Sequence, residues 1–467
     1  MTNTIQVREI VLEALLEIFE KGKLCHLVVG QLLQKYQYLE KQDRAFFTRL
    51  VEGTIERKIT LDYILNQYSK KISVEKMKPV VRTLLRMGAY QILYMDSVPD
   101  SAACNEMVKL AVRKGFSGLK GFVNGILRTI AREKEQIVFP KKEQGFIRYY
   151  SVVYSMPEWI VEQWLEQYGN ECTEKMLIAS LEAKETTVRI RTERFQREEI
   201  QACLSKEAKV QEIFWYSDAV VLSRYDSLEE LKGFQDGVFQ VQDISSMMVA
   251  EAAGVKKGDF VLDVCAAPGG KSLHIADKLH GTGCVEARDL TEPKIALIKE
   301  NVERCKIENI KVKRWDALEL DKEVLEAADI VIADLPCSGL GVIGRKNDLK
   351  YHSSREGQIE LIQLQRKILK VVSSYVKIGG TLIYSTCTTN RQENEENIKW
   401  FLKENPSFFL EDLTEYLPKK IREAADPLLH LEEQITMGMV RLLQGVFPSD
   451  GFFFARLKRK GKNEKLE

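Results

Sequence analysis

Apolar residues recur at three- and four-residue spacing through the first part of the chain. Ile10–Phe19 and Val80–Leu85 are two such stretches, and this period is typical of α-helices that bury one face. Glycine and proline interrupt the pattern, and there are no short alternating runs of the kind that form strands. We therefore predict an all-helical domain over residues 1–138, with a boundary near Phe139–Lys142.

The next part of the chain mixes helical and strand-like patterns. Helical spacing continues in Glu158–Tyr168 and Thr173–Ala183, and the alternation in Thr187–Arg191 is typical of a half-buried strand. We therefore predict a small α/β linking domain over residues 145–235.

From residue 236 to residue 460, short runs of strand-forming residues alternate with helical stretches. This order predicts a doubly wound, Rossmann-like α/β domain with a largely parallel sheet. Ligands of such sheets bind at the carboxyl ends of the strands. The strand-like runs are Phe260–Val264, Gly283–Ala287, Ile310–Val312, Ile330–Ala333 and Thr381–Tyr384.

The first of these strands ends in a turn that contains two glycines. The glycines allow a ligand to approach the backbone closely, but the spacing matches neither the dinucleotide fingerprint nor the phosphate-binding loop. Asp289 and Asp316 follow the next two strands. They suit ribose hydroxyls and an adenine amino group, although each alone could be a helix cap or a turn residue. Because three successive strand ends carry such residues, the sequence favours a nucleoside-bearing cofactor. The turn is Cys265, Ala266, Ala267, Pro268, Gly269, Gly270 and Lys271.

The nine cysteines form no CxxC pair and have no histidine at metal-ligand spacing. The pattern predicts neither a disulfide framework nor a metal site, and it favours a reducing, cytoplasmic setting. Cys337 and Cys387 differ from the others because they lie in polar turns at predicted strand ends. A thiolate there can add to an electron-poor carbon. The strand order alone makes the two cysteines equivalent.

Charge is distributed unevenly along the chain. The first 140 residues carry 22 basic and 15 acidic side chains, 22 − 15 = +7, whereas the whole chain is +1, which leaves 1 − 7 = −6 for the rest. The basic excess fits contact with a polyanion as well as it fits a helical domain with exposed lysines. No stretch approaches the roughly 20 apolar residues of a membrane span. Met1–Gly22 has the pattern of an amphipathic helix and not of a signal peptide.

Seven short motifs, taken in order, carry a resemblance to known proteins. They are Asp43–Ala45, Leu85–Gln91, Phe122–Arg128, Asp263–Lys271, Asp334–Gly339, Ser385–Cys387 and Pro448–Arg456. The first three resemble the NusB-type, all-helical RNA-binding domain. The last four resemble the RNA cytosine-5 methyltransferases of the Sun/nucleolar-protein type, and the combination resembles the bacterial 16S ribosomal RNA methyltransferases over nearly the whole chain.

The resemblance implies methylation of carbon 5 of a cytosine in 16S ribosomal RNA, with S-adenosylmethionine as cofactor. Cys265–Lys271, Asp289, Asp316 and Asp334 would line the cofactor pocket. Cys387 would attack C6 of the cytosine, Asp334 would also hold the edge of the base, and Cys337 would assist release of the product. The partner would be free or early-assembly 16S RNA, with no DNA or membrane partner, and the protein would act as a monomer.

Three other functions compete with this one. The nearest alternative is the same chemistry on transfer RNA. The NusB-like N-terminal domain favours ribosomal RNA as the substrate, but only by resemblance. A non-catalytic RNA-binding assembly factor would have no need of two thiols at the sheet edge. A DNA methyltransferase would carry its nucleophile in the Pro-Cys motif, without a second Thr-Cys site. The basic stretch Arg345–Lys350 resembles the family's substrate-facing loop, and we expect it to contact RNA instead of being an ordinary solvated loop.

Overall fold

The structure is a computed structural model that describes residues 3–461, with side chains from residue 7 onward. Met1 and Thr2, at the start of the predicted first helix, lie outside the described residues. The chain forms two compact units. The helical unit comprises the chain up to residue 181 together with residues 345–352, and the sheet unit comprises the remainder.

The helical unit consists of helices whose apolar faces meet in one core. They are α1 (Asn3–Lys21), α2 (Cys25–Lys35), α3 (Lys41–Glu56), α4 (Lys58–Tyr68), α5 (Pro79–Tyr94), α6 (Asp100–Arg113), α7 (Lys120–Glu133), α8 (Phe146–Val153) and α9 (Glu158–Ala179). In α7, Val123, Ile126, Leu127 and Ile130 are buried, and their spacing lines one face of a helix. The predicted all-helical front segment is confirmed.

Residues 145–181 cluster with these helices, whereas the sequence pattern grouped them with the small α/β domain. The hydroxyl of Thr60 in α4 donates to the Val152 carbonyl in α8 (2.6 Å), and the Ile59 N–H donates to Ser155 Oγ (3.0 Å). A hydrophobic period identifies a helix but not the neighbour on which it packs, so this grouping was not visible in the sequence.

A short segment from much later in the chain completes the helical unit. It comprises residues 345–352 and contains α15 (Leu349–His352). The Asp348 carboxylate accepts a hydrogen bond from the Cys25 N–H, at 2.7 Å, in the first turn of α2. The first N–H groups of a helix lack intrahelical acceptors, and a negative charge near them is favourable. Asp348 therefore caps α2.

The same segment also satisfies the last carbonyls of α3. Lys350 Nζ donates to the Glu56 carbonyl (2.8 Å) and the Tyr351 hydroxyl donates to the Ile55 carbonyl (3.0 Å). Lys350 is only 2% exposed. The expected RNA contact of Arg345–Lys350 is therefore wrong for Lys350, because its amino group is buried as a helix cap.

We expect Lys350→Met to change how stability depends on pH. Burial lowers the pKa of Lys350 from 10.5 to about 7; the charge of Glu56 raises it, and those of Arg57 and Lys58 lower it further. The unfolded chain then binds more protons than the folded chain between about pH 7 and 10.5, so wild-type stability should rise with pH there. Relative to Lys350→Met, the free energy of unfolding of the wild type should increase by at most about 1.4 kcal/mol per pH unit. The check is the thermal midpoint of both full-length proteins at pH 7, 8 and 9. A difference that stays constant with pH would contradict a neutral buried amine.

The sheet unit begins with a small antiparallel sheet in the order β2-β3-β1-β4. Its elements are β1 (Thr186–Ile190), α10 (Arg197–Leu204), β2 (Lys209–Glu212), β3 (Ala219–Ser223), α11 (Lys232–Gln235) and β4 (Phe239–Val241). Arg189 of β1 and Arg191, which directly follows β1, both bind the buried carboxylate of Asp277, each at 2.8 Å. Because Asp277 lies in the following part of the unit, this cluster attaches the small sheet to the large one.

The large sheet follows and carries helices between most of its parallel strands. Its elements are α12 (Ile244–Ala253), β5 (Phe260–Asp263), α13 (Gly270–Lys278), β6 (Cys284–Asp289), α14 (Glu292–Arg304), β7 (Ile310–Arg314), β8 (Ala328–Asp334), α16 (Arg355–Val372), β9 (Val376–Thr386), α17 (Glu395–Glu404), β10 (Phe408–Leu410), α18 (Leu431–Thr436), β11 (Met439–Leu442) and β12 (Phe452–Arg459).

The strand order of the large sheet is β10-β12-β9-β8-β5-β6-β7, with β11 paired to β12. The strands from β9 to β7 are parallel, and β12 pairs antiparallel with β9, β10 and β11. The order reverses between β5 and β8, and ligands bind outside the carboxyl ends of strands at such a switch point. The predicted doubly wound sheet is confirmed. No helix in the described part of the chain is long and apolar enough to cross a membrane.

Candidate active site

The glycine-containing turn after β5 lies at the switch point and leads into α13. The Ala267 N–H donates to the Asp289 carboxylate (3.1 Å), which also accepts from the Leu290 N–H (2.8 Å) and lies 3.0 Å from Lys294 Nζ. A carboxylate has about four acceptor positions, so these three donors leave Asp289 able to accept from a ligand hydroxyl. Gly269 has φ of 108°, a conformation that a side chain disfavours.

Asp263, the last residue of β5, ties the strand to the helix that follows. Its carboxylate is fully buried and accepts from Ser272 Oγ at 2.6 Å. Burial raises the pKa of Asp263 to about 7, although the Ser272 hydrogen bond opposes this. The two ends of the glycine-containing turn are thus held together.

Asp316 lies after β7, where the sequence predicted it. Its carboxylate accepts from the Leu318 N–H (2.9 Å), the pattern of an Asx turn. The preceding Trp315 N–H donates to the Asp289 carbonyl (3.0 Å). Asp316 therefore lies beside the strand end that carries Asp289, and it has a turn-forming role of its own.

Asp334 ends β8 and forms an ion pair with a residue of the glycine-containing turn. Lys271 Nζ lies 2.6 Å from Asp334 Oδ2, and Ser385 Oγ donates to Asp334 Oδ1 (2.8 Å). Lys271 Nζ also lies 5.3 Å from the centre of the Phe452 ring. Burial lowers the pKa of Lys271, but the charge and the hydrogen bond of Asp334, together with smaller charge effects, outweigh burial and the net pKa is raised. Lys271 is therefore a cation fixed beside the end of β8.

The two rim cysteines meet, as expected for residues at adjacent strand ends. Cys337 follows β8, Cys387 follows β9, and their sulfur atoms are 3.3 Å apart. The hydrogen bond to Cys387 raises the pKa of Cys337 well above its ordinary value, and burial raises it further. Cys337 thus keeps its proton beside the other thiol.

Lys271 interacts electrostatically with Cys387. The charge of Cys387 in its thiolate form is one of the causes that raise the pKa of Lys271, after the charge and hydrogen bond of Asp334 and the charge of Asp263. A nearby cation favours the thiolate form of a cysteine. Cys265, the third cysteine near this edge, differs because burial, followed by the charges of Asp289 and Asp263, raises its pKa strongly.

The backbone around the thiols is packed most tightly at Gly341. Its N–H donates to the Cys387 carbonyl (3.1 Å), and its own carbonyl accepts from the Gly451 N–H (2.9 Å). A Cβ on Gly341 would lie 1.9 Å from the Gly451 oxygen, so only glycine fits. The C-terminal Pro448–Arg456 motif therefore packs against both cysteine turns.

Sequence reasoning missed part of this site. It gave no role to Ser385, although that residue binds Asp334, and it placed Lys271 only in the cofactor turn. It also missed that several polar residues shortly after Cys387 are buried, because consecutive polar residues are typical of an exposed turn. The buried polar residues are Thr388, Thr389, Asn390, Glu393, Asn394 and Asn397.

A doubly wound sheet with this turn and these strand-end carboxylates defines a Rossmann-like domain that binds a nucleoside cofactor. Comparison with known proteins identifies its family. Residues 251–458 match the family described as 16S rRNA methyltransferase RsmB/F. Residues 5–132 match the NusB family, and residues 156–228 match the ferredoxin-like domain of the RsmF/B-like methyltransferases.

Curated relatives match over the full length. The probable ribosomal RNA small subunit methyltransferase B of Bacillus subtilis is 37% identical over 97% of this chain and 99% of that protein. The ribosomal RNA small subunit methyltransferase B of Klebsiella pneumoniae is 29% identical over 98% of this chain and 100% of that protein. The chain belongs to this family of ribosomal RNA methyltransferases, which confirms the predicted NusB-like front and S-adenosylmethionine as cofactor.

Solved structures share the fold. The crystal structure of PH0851 superposes with a TM-score of 0.78 at 23% identity, over 96% of this chain and 97% of that one. The structure of NSun6 from Pyrococcus horikoshii with SFG has a TM-score of 0.57 at 21% identity, over 66% of this chain and 99% of that one. The first of these matches covers both units of the chain.

Proposed function

We propose that this protein methylates carbon 5 of one cytosine in 16S ribosomal RNA through a covalent bond between Cys387 and C6. The observation that carries the proposal is the pair of thiols 3.3 Å apart at adjacent strand ends, with the ion pair of Lys271 and Asp334 at the end of the strand that precedes Cys337. A catalyst for simple methyl transfer to an oxygen or nitrogen would need no thiolate. Methylation of carbon 5 of cytosine requires a thiolate, because this carbon is a poor nucleophile until a covalent adduct raises its electron density.

The residues divide the chemistry between them. The Cys387 thiolate adds to C6, the C6–S bond forms, and the ring electron pair moves to C5, which can then take up a methyl group. Asp334 holds the edge of the base by accepting from its amino group, and the Lys271 cation paired with Asp334 supplies the positive charge that offsets negative charge developing on the ring. Cys337, after it has released its own proton to solvent, then removes the C5 proton, the C5–C6 double bond forms again, and the electron pair of the C6–S bond returns to Cys387.

The cofactor residues named from the sequence fit a nucleoside group. S-adenosylmethionine, when bound, supplies a methyl group made electrophilic by a sulfonium. The turn Cys265–Lys271 offers glycine backbone and the free N–H groups at the start of α13, and Asp289 keeps an acceptor position for a ribose hydroxyl. Asp316 and Asp334 border the same edge of the sheet.

The proposed substrate is free or early-assembly RNA, and the enzyme is a cytoplasmic monomer. A base inside a helical stack does not expose C6 to attack, so the target cytosine must be unpaired or flipped out. The basic excess of the first 140 residues provides attraction for the phosphate backbone.

Product analysis tests the proposal directly. Undermodified 16S RNA incubated with the protein and methyl-labelled S-adenosylmethionine should yield 5-methylcytidine as the labelled nucleoside, at one position. Transfer RNA transcripts and assembled small subunits serve as parallel substrates. Label in another nucleoside, or faster labelling of transfer RNA, would contradict the proposal. No labelling of any RNA would favour a non-catalytic assembly factor.

A further inference from the structure

Glu393 is a buried carboxylate that the chemistry above does not use. It lies six residues beyond Cys387, just before α17, and its side chain is fully buried. A buried carboxylate is costly unless donors surround it. Most of the groups that surround this one belong to the turns that carry the two thiols, and one belongs to α16.

Donors from three residues satisfy the carboxylate. Oε1 accepts from Ser338 Oγ (2.5 Å) and from Asn390 Nδ2 (3.2 Å), and Oε2 accepts from the Ser338 N–H (2.9 Å) and from Gln365 Nε2 (3.0 Å). Burial raises the pKa of Glu393, whereas these hydrogen bonds lower it. Four hydrogen bonds from N–H and O–H groups match the acceptor capacity of a carboxylate, and an amide could not accept all of them.

The partners of Glu393 belong to both cysteine turns. Ser338 directly follows Cys337, and it is held by its backbone as well as by its side chain. Asn390 belongs to the turn after Cys387, and Thr388 Oγ1 in that turn lies 2.7 Å from Ser338 Oγ. One carboxylate therefore fastens the turn of one thiol to the turn of the other.

A second layer of buried groups fixes the position of Glu393 itself. Gln365 Nε2 also donates to the Pro336 carbonyl (2.9 Å), and its Oε1 accepts from Asn397 Nδ2 (2.7 Å). The hydroxyl of Tyr384 and Asn397 Nδ2 both donate to the Glu393 carbonyl. Because all these groups are buried and mutually bonded, a shift of Glu393 would disturb several hydrogen bonds at once.

We infer that Glu393 is a positioning residue, which holds the Cys337 turn against the Cys387 turn so that both thiols can reach one cytosine ring. The assignment of chemical roles to the thiols rests on the proposed function, but the fastening of the two turns does not. Misplacement of a reacting group by about 1 Å can cost about 100-fold in rate, so loss of this contact should slow the chemistry more than it weakens binding.

Glu393→Gln tests this with little change of volume. The amide presents a donor where the carboxylate accepted, so at least one hydrogen bond to Ser338 or Gln365 should be lost. We expect kcat to fall about 10- to 100-fold, with the KM for RNA and the Kd for S-adenosylmethionine within about twofold of wild type. Glu396→Gln is the matched control, since Glu396 lies three residues further along, in α17, is exposed and forms an ion pair with Lys399; it should behave as wild type.

A second readout needs no RNA. Diamide takes up two hydrogens from a pair of adjacent thiols and leaves a disulfide, so the rate at which it joins Cys337 to Cys387 reports on their separation. We expect Glu393→Gln to form this disulfide about tenfold more slowly than wild type or Glu396→Gln. Ser338→Ala, which keeps the backbone N–H contact, should slow both cross-linking and kcat by a smaller factor, and it serves if Glu393→Gln does not fold.

The outcomes separate this inference from the proposed function. A folded Glu393→Gln with wild-type kcat would overturn the positioning role, and so would a folded Ser338→Ala that matches wild type in both assays. If Cys387→Ala kept normal turnover while Glu393→Gln still slowed cross-linking, the covalent mechanism would fail but the fastening of the two turns would stand.

Discussion

Replacement of Cys387 by alanine should abolish methylation of undermodified small-subunit RNA. Without the thiolate no bond to C6 forms, and C5 stays a poor nucleophile however well the substrates are held. Loss of the nucleophile from an enzyme with a covalent step typically lowers kcat by on the order of 10⁴-fold or more. The measurement is incorporation of labelled methyl groups into RNA under single-turnover conditions.

The matched control for this variant is Cys284→Ala. Cys284 begins β6, so it lies at the opposite end of a strand from the candidate site. Both variants should bind S-adenosylmethionine with wild-type affinity, because Asp289 and the glycine-containing turn are unchanged. Turnover of Cys387→Ala within about tenfold of wild type would contradict a covalent role for this residue. Loss of cofactor binding would show that the variant had disturbed the fold instead.

Much of the sheet unit could be predicted from the sequence because its signals are local. A run such as Phe260–Val264 is apolar, short and followed by a glycine-containing turn, and a strand within one residue of those bounds is present. Strand ends fall at one edge of a parallel sheet, so Cys337 and Cys387 could be brought to the same edge before any coordinates were known. Their contact at 3.3 Å is what that reasoning could not supply.

The interactions that the sequence did not reveal join residues far apart in the chain. Lys271 and Asp334 are 63 residues apart, and nothing in either motif signals an ion pair. Asp348 caps α2 from 323 residues away, and a basic stretch such as Arg345–Lys350 is normally exposed. Charge patterns along a sequence predict solvent exposure by default, so they mislead wherever a distant helix end needs a partner.

The roles of the two thiols show what local patterns can predict and what they leave open. Strand order made Cys337 and Cys387 equivalent, and only resemblance assigned attack to the second. The charge interaction between Lys271 and Cys387 favours Cys387 as the thiolate, and the raised pKa of Cys337 agrees with that assignment. An uncharged thiol is a poor attacking group but a suitable partner for a later step.

Replacement of Cys337 by alanine should trap the enzyme on its RNA. In the proposed mechanism, the bond between Cys387 and C6 breaks only after the C5 proton has left, and Cys337 takes that proton. The raised pKa of Cys337 depends first on its hydrogen bond to Cys387. Once that sulfur is bonded to carbon it carries no charge, so the pKa of Cys337 should fall and its thiolate becomes accessible as the proton acceptor.

The trapped species should be visible on a denaturing gel as a protein–RNA band that appears with Cys337→Ala and is absent from wild type. The double variant with both cysteines replaced by alanine is the matched control, and it should give no such band because no bond to C6 can form. Nuclease digestion followed by mass spectrometry should find the nucleotide on Cys387. If the band appeared with Cys387→Ala and not with Cys337→Ala, the roles of the two thiols would be reversed. The separation between attack and release requires the two thiols to differ in their surroundings, and the charge interaction between Lys271 and Cys387 is one such difference.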